Sequence, residues 1–438
     1  MKLFLLLAFN ALILFKILDA RFFYEASKVD GNADRKALLV FKSQVSANNR
    51  LALVSWNDST PLCQWEGVTC ARKHKRVTGL DLGGLQLGGI ISPAIGNLSF
   101  LRSLNLEDNS FGGTIPKEVG MLFRLQQLNM SYNNLKGVIP TSLSNCSRLV
   151  TLDLTSNNIV NGLPSELGGS LSSLENLFLS KNNLSGRFPT SLGNLTSLKN
   201  LFIAFNNMEG EVPKTIGRLT QLIRLQLSIN NLSGVFPPAI YNLSSLRYLF
   251  IAGNHFSGSL SPGFGYMLAT LRELEMPMNS FSGDLPKTIS NISTLRALDV
   301  SENHFAGSVS VDNRLSGNIP ETIGDCLYME EVYLGGNSFD GVIPDIRNLR
   351  GLKQFNLSNN NFSGNIPEFL ANFSSLVNLD LSGNSFQGAV PTKGVFQHPE
   401  EFSVSGNRNL CGGIPELYRV GGSILLLNVR KVFIQVYK

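Results

Sequence analysis

The sequence predicts an α/β solenoid, a stack of short coils that each add one strand to a continuous parallel sheet. Two observations carry this. An asparagine recurs as Asn109, Asn133, Asn157, Asn182, Asn206, Asn230, Asn254, Asn279, Asn303, Asn337, Asn360 and Asn384, in steps of 24 residues apart from two of 25, one of 23 and one of 34. Each sits in a frame of the form L-x-x-L-x-L-x-x-N-x-L-x-G-x-I-P, seen as LENLFLSKNNLSGRFP at Leu174–Pro189. A period of about 20–29 residues with this pattern is the leucine-rich repeat.

Each part of the frame has a physical task. The L-x-L core makes a short strand whose leucines point inward and whose intervening residue points out. One coil cannot bury its apolar edge alone, whereas stacked coils bury a continuous core. The asparagine turns the chain out of the strand, and its amide serves backbone groups that the turn leaves unpaired. Gly then permits a tight bend, and Pro stands where no ladder donor is needed.

Ahead of the repeats, MKLFLLLAFNALILFKILDA has a Lys, an apolar run and small residues, so residues 1–26 read as a secretory signal peptide, cleaved near Ala20 or Ala26. Residues 33–76 form an N-terminal cap: ADRKALLVFKSQV has the apolar spacing of an amphipathic helix, followed by Trp56, Trp65 and CQWEGVTC. An exposed solenoid end needs a cap, and a Cys63–Cys70 disulfide supplies a short closed loop there. Cys146 and Cys326 share one repeat position seven coils apart, over 30 Å at about 4.8 Å per coil. That exceeds disulfide reach, so both read as small buried hydrophobes. Cys411 has no partner downstream.

The repeats are expected over residues 77–391, with Leu85 in place of the first ladder asparagine. The step of 34 falls between Asn303 and Asn337. Only ten residues after Asn303, a second frame begins at Asn313 without its strand, so 14 residues are missing modulo the repeat and a bulge or break is expected at 308–313. The register should end at Pro391, with a cap-like segment at 392–417 and a divergent tail at 418–438.

Charged residues make up 16% of the chain, net charge is +5, and Lys and Arg form no long run, so nothing points to nucleic acid. Asn-x-Ser/Thr sequons at Asn57, Asn97, Asn129, Asn145, Asn183, Asn194, Asn231, Asn242, Asn291, Asn356, Asn361 and Asn372 point to a glycoprotein. Asn129 and Asn356 would face the concave side. No phosphate loop, kinase catalytic-loop pattern or metal-ligand spacing occurs, and His255 and His304 are repeat-position residues. No enzyme, cofactor or metal site is expected.

The outward residue of L-x-L reads Asn105, Asn129, Asp153, Phe178, Phe202, Gln226, Phe250, Glu275 and Asp299 along the coils. Phe178, Phe202 and Phe250 stand where polar residues belong, with Phe205, Ile229 and Tyr248 beside them and Arg224, Arg247 and Arg272 alongside. An exposed aromatic–arginine patch is an interaction surface. These residues are the expected ligand-binding set, and their rings are expected to be solvated.

The cap segments ALLVFKSQV and WNDSTPLCQWEGVTC, the I-P after each turn, and GVFQHPEEFSVSGNRNLCGGIPEL resemble the ectodomains of plant leucine-rich-repeat receptor kinases. LFRLQ followed by LNMSYNNL, and ALLVFKSQVSANNR, resemble the subfamily that includes the receptor for bacterial elongation factor Tu. The resemblance implies a plant-type superhelix, a microbial or endogenous peptide or protein ligand on the concave face, and a co-receptor kinase ectodomain as partner. It implies a place in plant defense and innate immunity, secreted to the apoplast as given, or at the plasma membrane if the parent gene continues into a span. A kinase is lacking, the cap has Cys411 without the family's second cysteine, and the chain reads as truncated. The alternatives are a cell-wall polygalacturonase-inhibitor-like protein and a non-functional gene product.

Overall fold

A computed structural model describes residues 32–306 and 318–412. The signal peptide, the 308–313 segment and the 418–438 tail lie outside the described residues.

The cap begins with helix α1, Asn32–Gln44, which buries Asp34, Ala37, Leu38 and Phe41 at helical spacing. Phe41 packs against Trp56, ring centroids 6.2 Å apart, and Trp56 stacks on Trp65 at 5.5 Å. A buried carboxylate ties the helix to the repeats: Asp34 accepts from Arg76 Nε at 2.8 Å, Arg76 Nη2 at 2.7 Å and Val77 N at 2.9 Å. With all its bonds made, this charge is tolerable without solvent. Strand β1, Val68–Cys70, pairs antiparallel with β2, Val77–Asp81. The Cys63–Cys70 disulfide forms, with Cα atoms 5.6 Å apart. Cys146 and Cys326 are buried and free, and Cys411 is exposed and free.

The chain divides into two compact units, 1–208 and 209–438. In the first, β2 is followed by parallel strands Ser103–Asn105, Gln127–Asn129, Thr151–Asp153, Asn176–Phe178 and Asn200–Phe202, each paired with the last. Their central leucines, Leu104, Leu128, Leu152, Leu177 and Leu201, are in register and fully buried. In the second unit the series runs Arg224–Gln226, Tyr248–Phe250, Glu273–Glu275, Ala297–Asp299, Glu331–Tyr333, Gln354–Asn356, Asn378–Asp380 and Phe402–Ser403. The opposite side of each coil is mostly a single 3₁₀ turn, such as Lys117–Met121, entered through an extended Pro of the I-P pair. Beyond α1, the described α-helix is confined to Ser165–Ser170 and Phe264–Met267.

The asparagines form the expected ladder. Asn254 Nδ2 donates to Leu227 O of the preceding coil at 3.0 Å, and to Ile251 O and Ala252 O of its own at 3.1 Å each. Its Oδ1 accepts from Leu232 N at 3.1 Å, so one buried amide satisfies four backbone groups. Two residues beyond each ladder asparagine, Phe256, Phe281, Phe305, Phe339, Phe362 and Phe386 stack face to face as a buried spine, adjacent centroids 6.1–6.4 Å apart.

One expectation is narrowed and one corrected. Of the bulge or break expected at 308–313, within the long step, a break in the ladder or in the sheet of L-x-L strands is ruled out, although a second sheet stops at His304–Phe305 and another starts at Ser363–Asn365. Ala297–Asp299 pairs directly with Glu331–Tyr333, Asn337 Nδ2 donates to Val300 O at 2.9 Å, and Phe305 stacks on Phe339. The step is therefore one coil with residues added, because 34 is ten more than the 24-residue period. Nor does the register end at Pro391. Phe402 pairs with Leu379, and Asn407 takes a ladder place, donating to Leu381 O at 2.9 Å and Val404 O at 2.8 Å.

Candidate functional site

The expected ligand-binding residues lie on the outward face of the parallel strands or in the turns beside them. In the first unit, Phe178 and Phe202 occupy matched positions of adjacent strands, their half-buried rings 5.1 Å apart and edge-on. Phe205 stands in the turn after its strand with φ +56°, a left-handed conformation unusual for a bulky residue. Amides line the neighbouring column: Asn200 Nδ2 donates to Asn176 Oδ1 at 2.7 Å, and Asn176 Nδ2 to Thr151 Oγ1 at 3.1 Å.

In the second unit, the exposed Arg224 lies over the Tyr248 ring with Cζ 4.7 Å from its centroid. Arg247 is exposed and Arg272 half-buried, and neither is in an ion pair among the described residues. Phe250 departs from expectation: only 6% of it is exposed. Its outward direction is as predicted, but Gln226 and Glu275 stand in register on the two flanking strands and Tyr248 leans against it at 6.3 Å. At about 4.8 Å between strands, large outward side chains cover one another. Gln226 and Asp299 are buried for the same reason. Phe250 therefore belongs to the floor of this surface.

Beside the arginines lies a group of carboxylates, of which Glu273 and Glu331 were not anticipated. Burial, then Asp299, Glu273 and Glu331, raise the Glu275 carboxyl to about 8. Burial raises Asp299 to about 6, against the Ser301 hydroxyl and amide bonds that favour its charged form. Glu273 is raised by burial and by Glu331, opposed by Arg224 and Arg296. Glu273 and Glu331 occupy the first outward position of their strands, two residues before the column read in the sequence. Comparing both outward columns would have found them. The surface thus sets a cationic, aromatic segment next to a carboxyl-rich one in which Glu275 keeps its proton at neutral pH, so that part offers hydrogen-bonding groups more than full negative charge.

His74, His255, His304 and His398 are all exposed, and among the described residues no group of three or more His, Cys, Asp and Glu is placed to hold a metal. Nine sequon asparagines are exposed, whereas Asn57, Asn129 and Asn356 are half-buried. Asn129 Nδ2 donates to Glu107 Oε2 at 2.8 Å, and Asn356 Oδ1 accepts from Ser358 N at 2.9 Å.

These coils, with their asparagine ladder and disulfide-bonded cap, define a leucine-rich-repeat protein, and family models agree. Residues 31–71 match the leucine rich repeat N-terminal domain, 73–211 the leucine-rich repeat region, and 245–267 and 351–373 the single leucine rich repeat. More particularly, its similarities are to plant receptor-like kinases and their repeat ectodomains. It is 57% identical over 112 residues to the LRR receptor-like serine/threonine-protein kinase EFR of Arabidopsis thaliana, covering 25% of this chain and 11% of that one. It is 49% identical over 82 residues to the receptor kinase-like protein Xa21 of rice, Oryza sativa subsp. japonica, covering 17% and 8%. The chain thus spans about a tenth of the length of these relatives. Among solved structures, it is similar to the Arabidopsis HAESA ectodomain in complex with an IDA peptide hormone ligand, with TM-score 0.68 and 28% identity over 87% of this chain and 70% of that one. The Arabidopsis GASSHO1/SCHENGEN3 ectodomain in complex with CASPARIAN STRIP INTEGRITY FACTOR 2 gives 0.67 and 28% over 88% and 53%.

Proposed function

We propose that this chain is an extracellular recognition module that binds a peptide or protein, microbial or endogenous, on the outward face of its parallel sheet. The observation that carries this reading is the Arg224–Tyr248 stack with Arg247 and Arg272 beside it, both without an ion pair among the described residues, next to carboxyls held in a partly dry site. Peptide complexes of similar ectodomains support it. Phe178, Phe202 and Phe205 give the first unit an aromatic patch of its own on that face. The bound complex then recruits a co-receptor kinase ectodomain, and the module itself needs no cofactor. The sequons carry N-glycans, as suits the apoplast or the cell surface.

The test is a direct binding screen of the purified chain against peptides tiled across bacterial elongation factor Tu and against plant secreted peptides. A binding peptide whose affinity falls in Tyr248→Ala and Arg247→Ala, with the fold retained in both, supports the reading. Binding that ignores both substitutions, or inhibition of a fungal pectin-cleaving enzyme in place of peptide binding, overturns it.

A further inference from the structure

The tip between β1 and β2 has no part in that ligand surface. It reads Ala71-Arg-Lys-His-Lys-Arg76. Arg72, Lys73, His74 and Lys75 are exposed, while Arg76 turns inward to Asp34. The tip is held rather than loose. Ala71 N donates to Arg76 O and Lys75 N to Ala71 O, both at 3.0 Å. The Cys63–Cys70 disulfide closes its base, and Lys75 sits at φ +54°.

The positive charge continues along the coils. Phe100, Arg124 and Arg148 hold one repeat position, successive members 24 residues apart. Phe100 lies between the Arg76 and Arg124 guanidiniums, with Cζ 4.5 Å and 4.1 Å from its centroid, and the His74 ring lies 4.6 Å away. That contact orients Arg124, which is exposed, as is Arg148. Arg102 lines a cleft of about 450 Å³ together with Thr69, Ala71, Thr78 and one carboxylate, Asp81. Among the described residues, none of Arg72, Lys73, Lys75, Arg102, Arg124 and Arg148 is in an ion pair.

We propose that this edge docks an acidic polysaccharide, a linear polyuronate. A solvated charged loop is the ordinary fate of such residues. Here, however, the backbone of the tip is pinned, Phe100 orients Arg124, none of these cations is in an ion pair among the described residues, and Arg124 and Arg148 follow one another at the coil spacing of about 4.8 Å. Each exposed contact contributes little, so affinity must come from many contacts with one repeating polyanion. A linear chain bearing a carboxylate on every sugar meets that need. A lipid surface is disfavoured because the cations follow one edge rather than surrounding an apolar anchor.

The experiment uses the whole chain from a secreting host, applied to immobilised de-esterified polygalacturonate and to the same polymer fully methyl-esterified. We expect retention on the acidic polymer alone, lost near 0.5 M NaCl, where screening shortens to about 4 Å. The triple variant Arg72→Gln, Lys73→Gln, Lys75→Gln should bind roughly tenfold more weakly. An equal charge change in the second unit, Lys287→Gln, Arg350→Gln, Lys393→Gln, should not. Arg124→Gln, outside the tip, gives a second reading if the triple variant misfolds. Absent retention, equal retention on the esterified polymer, equal loss in both triple variants, or binding to phosphatidylserine vesicles but not to polygalacturonate would overturn the proposal.

Discussion

At the scale of single residues, what surrounds an outward side chain decides its role as much as its direction does. Phe250 and Phe202 share one column, yet Phe250 is buried and Phe202 half-buried. Phe250→Ala should therefore destabilise the second unit by about 3 kcal/mol, through lost burial and a residual cavity. Phe202→Ala should cost only about 1 kcal/mol, chiefly its edge contact with Phe178. Urea midpoints of the two variants check this. The alternation of the strand made both positions legible as outward. It could not show that the neighbours of Phe250 close over it, since that depends on three strands at once.

The buried acids give a pH dependence with a definite sign. The carboxyls of Glu275 and Asp299 sit at about 8 and about 6 in the folded chain, against 4.5 and 3.8 ordinarily. The folded state therefore holds protons that the unfolded state releases. This stabilisation is complete below about pH 4 and is lost as pH rises through the window from about 4 to about 8. The urea midpoint of the wild type should fall across that window, and Glu275→Gln should flatten the fall above pH 6. A flat wild-type profile, or an unchanged slope in the variant, would contradict the assignment.

At the scale of elements, the cap and the long coil are the informative cases. The cap helix was legible from its apolar spacing, but the Asp34–Arg76 pair was not, because its partners lie 42 residues apart. Asp34→Ala leaves Arg76 buried without its counter-charge, and it should destabilise the first unit by about 3 kcal/mol. Loss of helix α1 signal on urea titration ahead of the repeats would report it. In the long coil, the L-x-L strands, the ladder and the phenylalanine spine all connect Asn303 to Asn337. Removing residues 308–317 restores the 24-residue step and should leave a folded chain with nearly the wild-type melting temperature. Collapse of the second unit in that deletion would show that those ten residues fill a structural place. The frame near Asn313 suggested a lost strand because sequence periodicity counts residues, not which strands meet. Asn407 was missed for a related reason: the leucine half of its frame is replaced by Phe402 and Val404, and only the spacing of 23 from Asn384 marked it.

At the scale of the whole molecule, the solenoid was readable because every coil repeats one solution to one packing problem. The ligand surface was read less completely. Surface residues vary from coil to coil, and their meaning lies in neighbours contributed by several coils. The central claim is that the outward face of the sheet recognises a peptide through Arg224, Arg247, Tyr248 and Arg272. The most direct measurement is calorimetric titration of a peptide from the binding screen into the wild type and into Tyr248→Ala, with melting temperatures recorded for both. The account predicts an affinity loss of roughly 2 kcal/mol, about thirtyfold, with only a small drop in melting temperature from the lost cover over Phe250. Unchanged affinity with a large drop in melting temperature would show instead that Tyr248 and the guanidinium over it are structural, and that recognition lies elsewhere on the chain.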